Sequence, residues 1–589
     1  MSSPAEQPPL TMLSPDFPFS YDHYLAHPAG LGSVPESAYG TEVAVIGAGL
    51  AGVITAYELM KMGLKPVVYE AGAIGGRLKS QAFDGNDDVV VDLGGMRFPV
   101  SGRAFYHYVD KLGLETRAFP NPLADVTPST VVELKNQTIY AESAEDLPEF
   151  YQQVARAWKR ALVEDAELEA VQTAIRTRDT ATLKRLWNEL VATHDDTSFY
   201  GFLASSQAFG ELSFEHLETF GQVGFGSGGW DTDFTNSILE VLRVVFTDAD
   251  DQHRGIVGGA QRLPLELWEH APEDLVYWPV GTSLASLHAG TPRGAVTGIH
   301  QAENPELSGG IRIKEKWGRT REYAAAVVTC QSWLLSSRID TDESLFTADM
   351  WTAIEKSHYM LSSKTFVMVD RPFWRDVDPQ TGRPAMSMTL TDRLPRATYL
   401  LDDGPDKPAT ILLSYTWNDD ALKWLSLDAS ERTRLMLHSL HKIYPGLDIG
   451  SHIVGEPITV SWEADPNFMG AFKNNLPGHY RYQERLFGHF IQDDLAEHQR
   501  GIFLAGDDIS FTAGWAEGAV TTALNAVWGV ARHLGGACAP ENPGPGDVWD
   551  ELAPVRLDRI HNINTTDNTD MTSMASGSAP SGNTKDGIR

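Results

Sequence analysis

Cysteine is scarce in this sequence, which holds only Cys330 and Cys538 among 589 residues. Two cysteines cannot form the several crosslinks of a disulfide-stabilised secreted scaffold. No group of Cys and His residues has the spacing of a zinc site. These absences exclude a disulfide framework and a zinc domain, and they predict a protein of a reducing compartment, the cytoplasm.

Long apolar runs and an excess of basic residues are also missing. No stretch approaches the roughly 18 apolar residues that span a bilayer, and residues 1–24 have neither the basic nor the apolar region of a secretory signal. The 47 Lys and Arg residues against 79 Asp and Glu residues give a formal charge of −32. We therefore expect small-molecule substrates and no nucleic acid or membrane partner, and the acidic field favours cationic substrates.

The most informative stretch of the chain is residues 41–76. Its β-branched apolar run from Val43 to Ile46 predicts a strand buried on both faces. Gly47, Gly49 and Gly52 then form G-x-G-x-x-G at the start of a helical pattern that runs to about residue 63. In this motif the glycines allow a tight turn, close approach of a pyrophosphate and packing of helix on strand. The stretch predicts a dinucleotide with its phosphates at the helix N-terminus.

A second strand and an acidic residue complete this unit. Pro66 to Tyr69 is again apolar, and Glu70 follows at the distance expected for an acid that binds a ribose 2′-hydroxyl. A carboxylate there disfavours a 2′-phosphate, and therefore disfavours NADP.

The segments that follow resemble the flavin amine oxidase superfamily. Gly75-Gly76-Arg77 comes soon after Glu70, and Gly94-Gly95-Met96-Arg97 comes after a short loop. The resemblance implies that the first segment wraps the FAD diphosphate and that the second passes close to the isoalloxazine, so the cofactor is FAD rather than NAD. Near the chain end, A-G-D at 505–507 and E-G-A-V at 517–520 resemble the family's last FAD motif, a helix N-terminus facing the flavin. The cofactor-binding residues implied in this way are Gly47, Gly49, Gly52, Glu70, Ala71, Gly76, Arg77, Gly94, Gly95, Met96, Arg97, Gly506, Asp507, Trp515, Ala516 and Ala519.

The remaining sequence pattern predicts an α/β fold, α+β overall. We expect a Rossmann-like FAD-binding domain of discontinuous segments, a mixed-sheet substrate domain and a helical insertion. Predicted strands lie at 276–280, 324–329, 365–369, 410–417 and 501–505, and predicted helices lie at 104–112, 429–443 and several places in 145–220.

The predicted domain boundaries follow from these elements. In chain order they are an N-terminal arm 1–40, FAD-binding segments 41–120, 236–345 and 459–557, a helical substrate-covering region 121–235, a substrate-binding domain 346–458 and a disordered tail 558–589. Aromatic residues of the arm are expected to pack on the body or on a neighbouring subunit; these are Phe17, Phe19, Tyr21 and Tyr24.

Six longer motifs narrow the resemblance to one bacterial branch of the superfamily. They are GGMRFP, SGGWD, SSKTFVM, LLSYTW, SWEADPNFMGAFK and AGWAEGAV. The branch contains the tryptophan, phenylalanine and lysine 2-monooxygenases and L-amino-acid oxidases, and the similarity, over most of residues 15–550, is closest to the lysine enzymes. It implies that L-lysine and O2 give 5-aminovaleramide, CO2 and water, with a side oxidase activity that gives a 2-oxo acid, NH3 and H2O2. It also implies a homo-oligomer.

The resemblance assigns roles to side chains around the reacting carbon. Arg97 would hold the substrate carboxylate through a bidentate fork; the alternative is a structural ion pair. Tyr415 would add a second hydrogen bond to the carboxylate, with core packing as the alternative. Lys364 would hold a water beside the flavin, unless it is an exposed surface lysine. Trp515, the second catalytic candidate, and Trp462 would wall the cavity.

Side-chain specificity is assigned to a carboxylate. Asp231 and Asp233 lie where the family places a loop over the far end of the substrate, and we predict that Asp233 pairs with a cationic side chain, with Phe468 beside its methylenes. The alternative is that both aspartates cap a helix that starts near Asn236. Ala249 is a candidate for adjusting the length of the pocket.

Three other functions remain open at this point. Within the class, the substrate could be arginine, ornithine or another L-amino acid, oxidised by an oxidase. The chain could also be a catalytically silent flavin-binding protein. A nicotinamide-dependent dehydrogenase is the third alternative, and it predicts a colourless protein.

Overall fold

The computed structural model describes residues 8–223, 233–303 and 310–557. The predicted disordered tail 558–589 and Asp231 lie outside these ranges. No helix in the described ranges is long and apolar enough to cross a bilayer.

A four-stranded parallel sheet brings distant parts of the chain together. Its order is Lys65–Tyr69, Glu42–Ile46, Ala325–Val328 and Ile502–Leu504. Each strand is a short apolar run with nearly every residue buried, which suits a parallel sheet covered on both faces. The strands predicted near 43–46, 66–69, 324–329 and 501–505 are confirmed.

Two helices cover one face of this parallel sheet, and a second sheet covers the other. Leu50–Lys61 and Ala516–His533 pack in one apolar cluster with Val43 and Val45. Ala44 and Ile46 point to the opposite side, as alternation along a strand requires. The second sheet contains Val296–Gln301, Ile311–Glu315, Thr320–Tyr323 and Asp340–Thr341.

The strand predicted at Val276 to Val280 is wrong. These residues form an irregular segment, in which Val276 is 58% and Val280 is 95% exposed. Trp278 anchors the segment through an Nε1–H bond to Leu64 O at 2.9 Å, and the ring of Tyr277 packs on Tyr39. Pro279 has no N–H to donate to a strand partner, so the alternating pattern of large residues does not lead to sheet pairing.

A seven-stranded mixed sheet forms the other large layer. Its order is Ile453–Ser461, Ser362–Val369, Ala409–Trp417, Ala397–Leu401, Met388–Thr391, Thr130–Leu134 and Gln137–Ala141. The predicted strands at 365–369 and 410–417 and the helix Ala429–Ile443 are confirmed. The last two strands of the sheet come from the region predicted as helical, so this sheet spans two of the predicted domains. The division into domains stays a prediction.

The predicted helical insertion and the N-terminal arm pack together. Phe17 and Tyr24 are buried in the main core, so the arm packs on the body of its own chain. The helices of this region are Tyr21–Ala26, Glu149–Ala166, Leu168–Thr177, Thr180–His194, Phe199–Ser205, Gln207–Gly210, Phe214–Val223 and Ile238–Phe246.

Shorter elements connect these layers. The helices are Arg103–Lys111, which confirms the one predicted at 104–112, and Arg262–Glu269, Leu284–Leu287, Leu334–Ser337, Ala348–Lys356, Asn418–Leu422, Tyr480–Gly488 and Trp549–Leu552. The strands are Ser80–Phe83, Asn86–Asp92, Phe98–Pro99, Thr116–Ala118, His253–Ile256, Tyr359–Met360 and Phe472–Lys473. The predicted α/β fold class, α+β overall, is confirmed.

Candidate active site

A cavity of about 690 Å³ lies between the parallel sheet and the seven-stranded sheet. Gly47, Glu70, Thr329 and Gly506 line it, and each lies just beyond the carboxyl end of one parallel strand. Ligands of open α/β sheets bind at this edge. Every residue predicted to bind the cofactor lines the cavity except Gly52.

The first glycine-rich turn is shaped to hold an anion. Gly49 is the N-cap of the helix Leu50–Lys61 and makes no side-chain cap bond, so backbone N–H groups are left at the cavity wall. A Cβ atom on Gly49 would meet no protein atom closer than 3.8 Å. A Cβ atom on Gly52 would lie 2.0 Å from Gly47 O, so Gly52 is needed for the helix to pack on the turn.

Two backbone hydrogen bonds hold the carboxylate of Glu70 beside this glycine-rich turn. Its Oε2 accepts a hydrogen bond from Ala48 N at 2.7 Å, and its Oε1 accepts one from Gly72 N at 2.7 Å. Burial raises the pKa of Glu70. A fixed carboxylate beside an uncapped helix N-terminus fits the ribose and diphosphate of a dinucleotide.

The motif near the chain end, residues 505–520, reaches this cavity through an ion pair. Arg77 pairs with Asp507 and donates to Ala471 O at 3.0 Å. The helix Ala516–His533 begins here, and its N-cap Trp515 makes no side-chain cap bond. A second helix N-terminus therefore opens into the same cavity, where it favours negative charge on a bound group.

Lys364 is buried at the middle of the cavity. Lys364 is only 3% exposed, so the alternative of a surface lysine is wrong. Nζ donates to Gly94 O at 2.5 Å and to Asp92 O at 3.2 Å, and it lies 5.0 Å from the ring centroid of Tyr415. Burial lowers the pKa of Lys364.

Arg97 lies at the same wall, and in the described part of the chain only one nitrogen of its guanidinium donates a hydrogen bond. Nη1 donates to Asn121 Oδ1 at 2.5 Å and to Tyr399 Oη at 3.3 Å. Among the described residues, no carboxylate pairs with Arg97, and no acceptor takes a hydrogen bond from its Nη2 or Nε. The structural ion pair offered as its alternative role is not found in this part of the chain.

Asp233 lies in the same cavity as Arg97 and is 7% exposed. Its Oδ1 accepts a hydrogen bond from Asn236 Nδ2 at 3.1 Å. The helix Ile238–Phe246 is capped by Ser237, whose Oγ accepts from Leu239 N at 3.3 Å. The alternative in which Asp233 caps this helix is therefore wrong.

Aromatic rings form the remaining walls. Trp462 and Phe468 meet edge to face with centroids 5.0 Å apart, and Tyr415 lies 5.4 Å from Trp417. Sequence reasoning missed Trp417, although two positions along a strand share a face and Tyr415 was already a candidate. Burial raises the pKa of Tyr415.

Other polar residues of the cavity carry no sequence signal. Asn121 and His253 lie beside Arg97, and Glu240 and Asp250 add two carboxyl groups. Burial raises the pKa of Asp250 to about 7. Ala249, proposed to adjust the pocket, does not line the cavity, whereas its neighbour Asp250 does.

Comparisons with known proteins agree with this geometry. The family model for flavin containing amine oxidoreductase matches residues 50–531. Tryptophan 2-monooxygenase of Pseudomonas savastanoi is 31% identical over 546 residues, covering 87% of this chain and 93% of its own. Putrescine oxidase bound to putrescine has a similar fold, with a TM-score of 0.61, 18% identity, and coverage of 83% of this chain and 98% of its own. Cyclohexylamine oxidase from Brevibacterium oxydans gives a TM-score of 0.60, 17% identity, and coverage of 84% and 100%.

Proposed function

The chain belongs to the flavin-containing amine oxidoreductase family, and we propose that it acts on a basic L-amino acid, with L-lysine as the first candidate. It is an FAD-dependent oxidoreductase. Its relatives named tryptophan 2-monooxygenase support an amino-acid 2-monooxygenase, and a relative from Bacillus subtilis named putative L-amino-acid oxidase supports some oxidase activity. In the proposed main reaction, L-lysine and O2 give 5-aminovaleramide, CO2 and water. In the side reaction, the amino acid, O2 and water give a 2-oxo acid, NH3 and H2O2.

The guanidinium of Arg97 supports the proposal that the substrate carries a carboxylate. In the described part of the chain, Nη2 and Nε of Arg97 have no hydrogen-bond acceptor, so a bidentate fork is left for an anion. Tyr415 lies in the same cavity and would give the carboxylate a second hydrogen bond. A simple amine would leave this half-buried cation without an anionic partner, which costs free energy.

The single observation that carries the basic substrate is the buried carboxylate of Asp233. An apolar substrate side chain would displace water from this carboxylate without replacing the lost hydrogen bonds, whereas an ammonium group would pair with it. Trp462 and Phe468 would pack on the methylenes between the two charged ends of the substrate.

Bound FAD would supply the two-electron chemistry that oxidises the Cα–H bond of the substrate and reduces dioxygen. The protein orients the substrate between Arg97 and Asp233, and the aromatic walls exclude water. Lys364, with its Nζ held by two backbone carbonyls, is placed to hold a water or a proton beside the reacting centre. Retention of the imino acid product would lead to the amide, and its release would lead to the 2-oxo acid.

Tryptophan is the second candidate substrate, because aromatic rings line the cavity and the relative from Pseudomonas savastanoi is named for it. Arginine and ornithine are further candidates within the basic class. The carboxylate of Asp233 separates these possibilities, since an indole offers it no positive charge.

The test is a product assay of the purified holoenzyme with L-lysine, L-arginine, L-ornithine, L-tryptophan and L-leucine in air. It follows the amide and H2O2 together. A dominant amide from lysine supports the monooxygenase, and dominant H2O2 supports an oxidase. Turnover of tryptophan in preference to lysine would overturn the proposed substrate.

Asp233→Asn is the matching variant. We expect kcat/KM for L-lysine to fall about 100-fold, because the substrate ammonium loses a buried ionic partner, and kcat/KM for L-leucine to change by less than about threefold. Asp349→Asn is the control, since that aspartate has a side chain 76% exposed and lies outside the cavity. An equal loss with both substrates would instead indicate a structural role.

A further inference from the structure

We propose that Asn121 and His253 are positioning residues that hold the guanidinium of Arg97 in its carboxylate-binding orientation. This inference rests on the role proposed above for Arg97. Neither residue belongs to a recognisable motif, and both line the cavity.

The three side chains form a continuous line of hydrogen bonds. Arg97 Nη1 donates to Asn121 Oδ1 at 2.5 Å. Asn121 Nδ2 and His253 Nδ1 lie 2.7 Å apart, and His253 Nε2 lies 2.8 Å from Ala249 O. The line therefore begins at a backbone carbonyl, which cannot rotate, and ends at the guanidinium.

The chemistry of each group fixes the direction of every bond. A carbonyl oxygen only accepts, so His253 carries its proton on Nε2 and donates it to Ala249 O. His253 Nδ1 then has a lone pair, which accepts from Asn121 Nδ2. The amide of Asn121 is thereby oriented with its oxygen toward Arg97. If the amide turned over, an oxygen would face a lone pair and an NH2 group would face a guanidinium.

The neutral form of His253 is maintained by its surroundings. Burial and the charge of Arg97 lower the pKa of His253 to about 3, so the imidazole keeps the lone pair that Asn121 needs. On its other side the ring stacks on Trp515, with centroids 5.5 Å apart and an interplanar angle of 26°. One imidazole thus supports both the carboxylate-binding arginine and the proposed aromatic wall.

Arg97 needs such support because, in the described ranges, no carboxylate fixes it. A free arginine side chain loses rotamer entropy when a ligand orders it. A guanidinium that is already oriented by Asn121 avoids most of that loss. This gain in affinity is expected only for ligands that carry a carboxylate. A general structural role would instead change the affinity for every ligand.

The experiment measures dissociation constants of the holoenzyme for two unreactive ligands, followed by the visible spectrum of the flavin. The first ligand, 6-aminohexanoate, is lysine without its α-amino group. The second, pentylamine, also lacks the carboxylate. The ratio of the two constants reports the contribution of the carboxylate.

We expect Asn121→Leu and His253→Leu to raise the dissociation constant for 6-aminohexanoate about 10-fold or more, and that for pentylamine by less than about twofold. His253→Gln should restore most of the preference, since its amide can donate to Ala249 O and accept from Asn121. The two leucine variants interrupt the same line of hydrogen bonds at different residues, so the test stays decisive if one of them does not fold. An equal rise for both ligands, or no rise for either, would overturn the positioning role.

Arg97→Ala separates this inference from the proposed function. If Arg97→Ala abolishes the preference for 6-aminohexanoate and Asn121→Leu retains it, only the positioning role is wrong. If the unmodified enzyme has no preference for 6-aminohexanoate, or binds neither ligand, the carboxylate role of Arg97 and this inference are both wrong.

Discussion

Two cations, the half-buried Arg97 and the buried Lys364, lie in the same cavity but in different surroundings. Among the described residues, Arg97 bonds to side-chain oxygens through one nitrogen only, whereas Lys364 donates to the backbone carbonyls of Asp92 and Gly94. A guanidinium keeps its charge and presents a planar fork, but a buried amine readily gives up its proton. The two residues are therefore suited to different tasks, anion binding and proton exchange.

Arg97→Ala should raise KM for every L-amino acid that the enzyme oxidises. We expect about 100-fold, because the variant removes charge-assisted hydrogen bonds to the carboxylate. Steady-state kinetics with L-lysine and L-leucine measure this. Arg156→Ala is the control, since that arginine lies on an exposed helix surface beside Glu149. Unchanged KM values in Arg97→Ala would contradict the carboxylate role.

Lys364→Met should slow reaction with O2 more than reduction by substrate. We expect the reoxidation rate constant to fall about 10-fold or more, and the anaerobic reduction rate constant to change by less than about threefold, as stopped-flow absorbance would measure. Because burial lowers the pKa of Lys364, deprotonation as pH rises should affect the wild-type reoxidation rate well below the usual lysine range. If this pH dependence persists in Lys364→Met, the assignment to Lys364 is wrong.

At the scale of elements, two helices start at the cavity, where we propose that one faces the phosphates of FAD and the other faces its flavin ring. Leu50–Lys61 follows the first parallel strand, and Ala516–His533 follows the last. The two helices pack on each other in the main apolar cluster. Because their N-termini open into one cavity, the geometry of the cofactor site depends on how closely the first helix packs on its strand.

Gly49→Ala and Gly52→Ala should have different effects, although both glycines belong to one motif. A Cβ at Gly49 would meet no protein atom closer than 3.8 Å, whereas one at Gly52 would lie 2.0 Å from Gly47 O. We expect Gly49→Ala to keep its apoprotein stability and lose FAD affinity about 10-fold or more, since the new methyl group would meet the diphosphate. Gly52→Ala should instead destabilise the apoprotein by several kcal/mol, of the order found for an overpacked core.

Thermal unfolding of the apoproteins and titration with FAD separate these two effects. If Gly49→Ala binds FAD as the wild type does, the diphosphate does not approach this turn. If Gly52→Ala is as stable as the wild type, the close contact between helix and turn is not needed for the fold.

At the scale of the whole molecule, the N-terminal segment joins the helical region to the main body. Asp16 is fully buried, accepts from Trp187 Nε1 at 2.7 Å and pairs with Arg243, which also contacts Glu240. Glu240 lines the active-site cavity. The segment is thus part of the core, connected to the cavity wall through buried charges.

Asp16→Ala should lower the free energy of unfolding by about 3–5 kcal/mol, because it leaves the buried Arg243 with an incomplete set of partners. Asp22→Ala, on the same segment, is the matched control. Its pair with Arg178 is about one quarter exposed on both sides, and we expect a loss of about 1 kcal/mol. Urea unfolding followed by tryptophan fluorescence measures both. Similar losses in the two variants would show that the buried pair adds little to stability.

The sequence by itself determined the nucleotide-binding unit and the fold class. The motif Gly47, Gly49, Gly52 and the acid Glu70 lie within 24 consecutive residues, and the backbone requirements of their turn select glycine directly. The buried strands could be predicted because parallel strands covered on both faces are continuous apolar runs. The segment 276–280 shows the limit of this reasoning, since alternating large residues alone did not produce a strand.

Only the tertiary structure decided which distant residues meet. Residues 130–141 join the seven-stranded sheet by pairing with Met388–Thr391, a contact that no local pattern specifies. Asn121 and His253 are 132 positions apart and complete each other's hydrogen bonds beside Arg97. Complementarity of a donor and an acceptor depends on their positions in space, and these positions are fixed only when the sheets and helices have packed.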